Sequence, residues 1–470
     1  MSKALKSIWD FSTWIVNDKT NQWSAWFANM IWLDIHTEQW VAQPNVKPLV
    51  ETTTWLNENP NVFVQFDGKM LSWMDDEEIW YESTANTWTL LHTNGNGWNN
   101  NDLIVYNNYL LFSSNTRLWR STNTTIAWGF TDSPTWWSGS TYLNWDWQHF
   151  FKLFNNRIYI TDGNVLAELD WASAPTTPAS WIFTQSIFRL PEGEVMLSLE
   201  VIWGQLAIGT QAGNLYIWDG ASDNSSTIIK TQFWGITAMI QIENTLFVFA
   251  WLDGTIYRYN GTDLIPVIQV PDMVSTSSGT YVRKNWVKRY KNGMMFGLSL
   301  NGLYVFNRVK EWDSFSLTKY WNLSWSVNIK DSFVDVLSLY NIPWTVVSWD
   351  TIFIWYDVSG AEKIDRITDS NGLYSDALLE TIEYQLRNNK WKPSRIQWVQ
   401  LMFRSLISSP VTVKYKTDYN NTFTTLGTID HTGFWADSHD TILRWISQRA
   451  DKIVFRLEWL TGKLINLKIF

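Results

Sequence analysis

Short apolar runs separated by polar turns fill most of the chain. They come in pairs, a strand-like run, a turn, then a second run that carries an aromatic residue. Gln205-Leu206-Ala207-Ile208-Gly209 precedes Gly213-Asn214-Leu215-Tyr216-Ile217-Trp218-Asp219-Gly220, and Thr245-Leu246-Phe247-Val248-Phe249 precedes Gly254-Thr255-Ile256-Tyr257-Arg258-Tyr259. The same unit recurs at 293–296 with 301–307 and, upstream, at 69–73 with 78–81, 109–112 with 117–120, and 157–160 with 164–167. A seventh copy pairs 343–347 with 351–357. The anchors Met70, Leu110, Ile158, Leu206, Leu246 and Met294 follow one another at 40, 48, 48, 40 and 48 residues. A repeat of roughly 40–50 residues built from short strands predicts the blades of a β-propeller. One four-stranded blade cannot cover its own apolar faces, whereas a closed ring buries each face against a neighbour.

Seven units over 55–370 predict a ring of about seven blades, six or eight if a unit is split. The pairs Leu206/Leu215, Leu246/Ile256 and Met294/Leu303 are expected on adjacent antiparallel strands of single blades. Residues 1–54 do not repeat, are polar and contain Pro44 and Pro48, so they read as an extended N-terminal arm on the ring or on another subunit. Past Asn371-Gly372 the spacing is lost. Val411-Thr412-Val413-Lys414-Tyr415-Lys416 and Ile453-Val454-Phe455-Arg456-Leu457-Glu458 alternate with period two, the mark of half-buried antiparallel strands. Residues 371–470 therefore predict a C-terminal, jelly-roll-like β-sandwich, and the fold class is all-β.

Charge and composition narrow the function. With 36 Lys+Arg against 45 Asp+Glu the chain carries −9, which disfavours a general nucleic-acid binder. The absence of cysteine removes disulfides, thiolate metal sites and cysteine nucleophiles. Five histidines show no metal-ligand spacing, no apolar run is long enough for a membrane span, and the first residues lack the apolar core of a signal peptide. No phosphate loop, dinucleotide fingerprint or zinc-protease motif occurs, so no cofactor is expected.

Tryptophan changes the picture further. There are 35 Trp and only 23 Gly, although average glycine usage is about 7%. Trp23, Trp26, Trp391 and Trp435 stand in polar, turn-forming contexts where glycine is the usual choice and are expected outside the core. One reading is a gene that uses UGA for glycine, displayed here as tryptophan. The other is a tryptophan-rich glycan binder with aromatic platforms. The scatter over turns fits the first reading better than the second.

Three groups carry candidate chemistry. Ser121-Thr122-Asn123-Thr124-Thr125-Ile126-Ala127-Trp128 resembles the Asp-box hairpin of sialidase-like propellers, with Asn123 in place of the Asp and Thr125 in place of the Gly. That resemblance implies a structural turn formed by Ser121, Asn123 and Trp128, not a catalytic centre. Arg283, Lys284, Lys288, Arg289 and Lys291 form a basic stretch without an acid, either a solvated strand face or an electrostatic contact for an acidic neighbour or a polyanion. Arg117, Arg120, Arg157, Arg189, Arg258 and Arg283 lie near blade strands, but their spacing marks no substrate-carboxylate triad, and no catalytic residue is assigned. The run Asp75-Asp76-Glu77-Glu78 reads as a solvated hairpin tip.

The whole arrangement resembles tail-associated structural proteins of tailed bacteriophages, in which a polar arm precedes a propeller and a small sandwich closes the chain. Phe27-Ala28-Asn29-Met30-Ile31-Trp32-Leu33-Asp34-Ile35-His36-Thr37-Glu38-Gln39-Trp40-Val41 is similar to their opening segment, and Val411-Thr412-Val413-Lys414-Tyr415-Lys416 with the residues up to Gly427 is similar to their sandwich hairpin. The resemblance implies a non-enzymatic virion part, assembled in the host cytoplasm. Its partners would be other tail proteins in an oligomer and a host-surface glycan, with neither nucleic acid nor a membrane span. A sialidase-like glycosidase or a lectin is the alternative.

Overall fold

The computed structural model describes residues 60–74, 78–84, 87–93, 102–114, 117–121, 125–126, 143–144, 149–171, 181–222, 227–231, 235–250, 254–270, 287–290, 293–298, 302–309, 314–321, 332–338, 350–358, 361–367, 378–381, 384–385, 394–404, 410–418, 420–429, 439–450, 452–458 and 463–469, together with five short strands before residue 60. None of the described residues is α-helical.

Seven antiparallel sheets follow one another along the chain, the first six each a simple meander. Blade 1 is Pro60–Phe66, Lys69–Met74, Glu78–Thr84 and Thr87–Thr93. Blade 2 shows three strands among the described residues, Leu103–Tyr106, Tyr109–Ser114 and Arg117–Arg120. Blade 3 is Phe151–Phe154, Arg157–Asp162, Val165–Trp171 and Trp181–Arg189, and blade 4 is Met196–Ile202, Gln205–Thr210, Asn214–Trp218 and Thr227–Lys230. Blade 5 is Ile236–Ile242, Thr245–Ala250, Thr255–Tyr259 and Leu264–Gln269, and blade 6 is Val287–Tyr290, Gly293–Leu298, Gly302–Val309 and Ser314–Trp321. The three predicted pairs lie on adjacent antiparallel strands of blades 4, 5 and 6.

The innermost hairpins turn through two residues. Asp67-Gly68, Asn107-Asn108, Asn155-Asn156 and Trp203-Gly204 have both residues at positive φ. That geometry suits the twist of the flanking strands, and Asn, Asp and Gly tolerate it best. Register after the turn is the same in six blades, set by the pairs Phe66↔Lys69, Tyr106↔Tyr109, Phe154↔Arg157, Ile202↔Gln205, Ile242↔Thr245 and Tyr290↔Gly293.

Apolar faces meet between blades. Leu71, Leu110 and Phe112 fill the layer between blades 1 and 2, Leu111, Ile158 and Ile160 that between blades 2 and 3, and Tyr159, Leu206 and Trp218 that between blades 3 and 4. Ile217, Leu246 and Val248 bury the face shared by blades 4 and 5, and Phe249, Phe296 and Phe306 that shared by blades 5 and 6. Each such side chain contributes about 1.5–3 kcal/mol on burial, so the ring holds through its inter-blade layers. Innermost strands neighbour one another in order, and Ser332–Ser338 of blade 7 lies against Pro60–Phe66 of blade 1, which closes the ring at seven.

Blade 7 is Ser332–Ser338, Asp350–Val358, Ala361–Ile367 and, as its outermost strand, Leu49–Val50 from the start of the chain. Val50 faces Asp365 and Leu49 faces Arg366. The strand expected at 343–347 lies outside the described residues, and Ser332–Ser338 pairs directly with Asp350–Val358.

In segment 1–54, three of the described short strands pair with the ring or with the sandwich sheets. Its strand Lys6–Ile8 extends one sandwich sheet, in the order Lys6–Ile8, Lys463–Ile469, Ser394–Arg404, His439–Ala450. Its strand Phe27–Ile31 begins the other, followed by Leu378–Thr381, Lys452–Glu458, Val411–Thr417 and Asn420–Ile429, with Tyr384–Gln385 also on Lys452–Glu458. Along Val411–Thr417 burial alternates, Val411, Val413, Tyr415 and Thr417 facing inward. Phe27–Ile31 also neighbours Ser314–Trp321, so the sandwich sits beside the outer edge of blade 6.

Candidate functional site

The innermost strands line the axis of the ring, and the common register puts equivalent residues at equal depth. One level holds Gln65, Val105, Leu153, Val201, Gln241 and Arg289, and the next holds Val64, Ile104, Lys152, Glu200, Ile240 and Lys288. Blades 1 and 2 contribute mostly apolar groups. Between blades 3 and 4, Lys152 Nζ meets Glu200 Oε1 at 2.5 Å. Blade 6 brings two cations of the predicted basic stretch. Lys288 is half-buried, and Arg289 is exposed, its Nε donating to the Gln241 carbonyl of blade 5 at 2.9 Å. Successive strand residues point to opposite faces, so the two charges diverge. Arg283, Lys284 and Lys291 lie outside the described residues.

Ser121 directly follows the third strand of blade 2 and is buried. Its N–H donates to the Leu110 carbonyl at 2.8 Å, and its Oγ accepts from the Leu110 N–H at 3.0 Å, clamping the neighbouring strand. Asn123 and Trp128 lie outside the described residues. The Ile126 N–H donates to Asp67 Oδ2 at 3.0 Å, so the segment after Ser121 braces the first hairpin turn of blade 1. A shallow polar cleft with Thr125, Asp67 and Asn108 on its walls separates the turns of blades 1 and 2.

Blade 3 holds a polar cluster that the arginine spacing did not reveal. Arg157 Nη1 meets Glu168 Oε1 at 2.8 Å and Nη2 meets Asp170 Oδ2 at 3.3 Å. The bond to Glu168 raises the guanidinium pKa above its ordinary value. Tyr159 stands directly opposite Glu168, and burial followed by the Glu168 charge pushes its phenol up to about 12. A tyrosine beside a glutamate and an arginine has the residue types of a glycosidase nucleophile. Here Tyr159 is 1% exposed and packs on Phe154 and Trp218 between blades 3 and 4. A neutral phenol out of solvent's reach serves packing. Arg120, buried beside the Tyr109 ring at 4.8 Å, has its pKa lowered by desolvation.

Sequence reading also missed a fully buried pair, His149 Nε2 and Asp162 Oδ1 at 3.7 Å. Asp162 accepts from the Asn144 backbone and side-chain N–H groups at 2.8–3.0 Å, which ties the entry of blade 3 to the end of its second strand. Single histidines scattered through a sequence carry no signal for such a pair. On the sandwich, Arg456 and Lys416 stack over Phe423 at 3.9 and 4.7 Å.

Strand order, common register and closure define the class, a seven-bladed β-propeller joined to a β-sandwich. Among solved structures, the chain is similar to the WD40 β-propeller domain of Doa1 at 11% identity and TM-score 0.43, over 68% of this chain and 97% of that one. It is also similar to the computationally designed Ika8 protein at 12% identity and TM-score 0.42, over 71% and 96%. A third is the extracellular domain of the hybrid two-component system BT4673 of B. thetaiotaomicron, at 11% identity and TM-score 0.47, over 77% of this chain and 43% of that one. No protein-family model and no curated protein matches the sequence.

Proposed function

We propose that the chain is a non-enzymatic structural and host-recognition component of a bacteriophage tail, assembled in the host cytoplasm and working in the virion. The observation that carries this reading is the double use of the N-terminal segment. It completes blade 7 of the ring and adds a strand to each sandwich sheet. A particle component assembled in a reducing compartment has to gain rigidity without disulfides, and this chain has no cysteine. A ring whose last strand comes from the opposite end of its sequence, tied by the same segment to a second domain, supplies that rigidity.

The platform has a contact surface suited to the role. Tight polar turns crown one face, and Arg289 lies beside the axis at that end. In a chain of net charge −9, such a cation favours an acidic patch of a neighbouring tail subunit. Proteomics of purified particles, run beside a hydrolase assay on host-surface polysaccharide, tests the proposal. The expected result is the protein in the particle and no turnover. Absence from the particle, or robust turnover, overturns the reading in favour of a sialidase-like glycosidase or a lectin.

A further inference from the structure

The repeated blade gives every position several internal counterparts, and tryptophan falls into two classes when they are compared. Trp203 is the first residue of a two-residue hairpin turn at φ +50°, followed by Gly204 at +73°. Its counterparts in blades 1, 2, 3 and 5 are Asp67, Asn107, Asn155 and Glu243, none of them aromatic. A bulky side chain in the left-handed region is an outlier, whereas Gly-Gly is among the favoured pairs for this turn. The indole is 47% exposed and leans over the next blade, Nε1 donating to the Asn244 carbonyl at 3.0 Å and the ring 5.5 Å from Tyr259. Asn244 is itself exposed, so water can take over that bond.

Trp73 pairs with Ile79. The equivalent slots hold Ser113, Thr161, Gly209, Phe249 and Gly297, four of the five small. Trp73 is buried against Phe112, and its indole N–H has no partner among the described residues, a costly arrangement for a polar group out of water. The orphaned N–H is shared with Trp88 and Trp119, so the slot makes the distinction.

Trp80 and Trp218 behave differently. Trp80 occupies a slot filled by Tyr216, Tyr257 and Tyr304 in blades 4, 5 and 6, and its N–H donates to Glu78 Oε2 at 2.8 Å. Trp218 occupies the slot of Tyr259 and Phe306, packs on Phe188, and donates to the Ser222 carbonyl at 2.6 Å. Both use the apolar ring and the polar tip together, as a selected tryptophan does.

We infer that positions 203 and 73 are glycine in the natural protein, encoded by UGA, and that Trp80 and Trp218 are true tryptophans encoded by UGG. The ring is then the product of a translation system that inserts glycine at UGA, and its turn face carries no aromatic at position 203. The inference stands on slots within one chain and is independent of the tail assignment. Two measurements test it. Codons in the gene, checked by peptide masses of the protein from its native source, are expected to read UGA at 203 and 73, each peptide lighter by one indolylmethyl group, and UGG at 80 and 218. UGG at 203 or 73 overturns the inference, and so does UGA at 80 or 218. In recombinant protein carrying all tryptophans, Trp203→Gly is expected to raise the melting midpoint by a few degrees and Trp218→Gly to lower it by more. A lower midpoint for Trp203→Gly counts against the inference.

Discussion

Tyr159 shows how one residue's chemistry follows from the strand face it occupies. Directly opposite Glu168 and closed off by Trp218, it keeps its proton to about pH 12. In the unfolded chain a tyrosine ionises near 10. A raised folded-state value contributes stability that is full below about pH 10 and is lost as pH rises towards 12. Ultraviolet titration is expected to show several phenols ionising late, Tyr106, Tyr216 and Tyr259 among them, and Tyr159→Phe to remove the contribution near pH 12 and its share of the alkaline destabilisation. Ionisation of every tyrosine near 10 would contradict the buried placement. Arg157 next to it was visible in the sequence as one arginine among several. Its partners Glu168 and Asp170 were not, because cross-strand neighbours are set by register and not by separation along the chain.

At the scale of the element, the hairpin is the unit, and its tolerance is set by how closely its strands approach. Gly293 opens the second strand of blade 6, where an added Cβ would come 2.1 Å from the Phe306 carbonyl oxygen and 2.9 Å from Asn307 Cα. Both obstacles are backbone, so neither can rotate away. Gly293→Ala is expected to cost about 1–3 kcal/mol or more, as overpacking does, and denaturant titration would measure it. A neutral result would mean that the strands of blade 6 are spaced more widely. Hairpins themselves were legible in the sequence, since period-two apolar runs around Asn, Asp and Gly turns leave little choice of structure. The brace that Ile126 makes onto Asp67 of another blade was not legible.

The whole molecule depends on a closure that no repeat announces. Leu49–Val50 completes the last blade, and Lys6–Ile8 and Phe27–Ile31 extend the two sandwich sheets. A chain beginning after residue 54 would lose an edge from three sheets at once. It is expected to melt about 5 °C or more below the full chain, with the single transition broadened or split, as calorimetry would show. An unchanged transition would mean that the segment is dispensable. By itself, the sequence determined most of the blade strands, their turns and the 40–48-residue repeat with a count of about seven, because all of these follow from the order of apolar and polar residues along the chain. It also held the tryptophan surplus, 35 Trp against 23 Gly. The tertiary structure alone decided which strand closes the ring, that the polar start belongs to both domains, and that Tyr159 with Glu168 and His149 with Asp162 form buried pairs. The physical reason is separation: partners hundreds of residues apart, or on facing strands, are chosen by the fold's geometry, and a run as short as Leu49–Val50 carries no periodicity from which its place could be read.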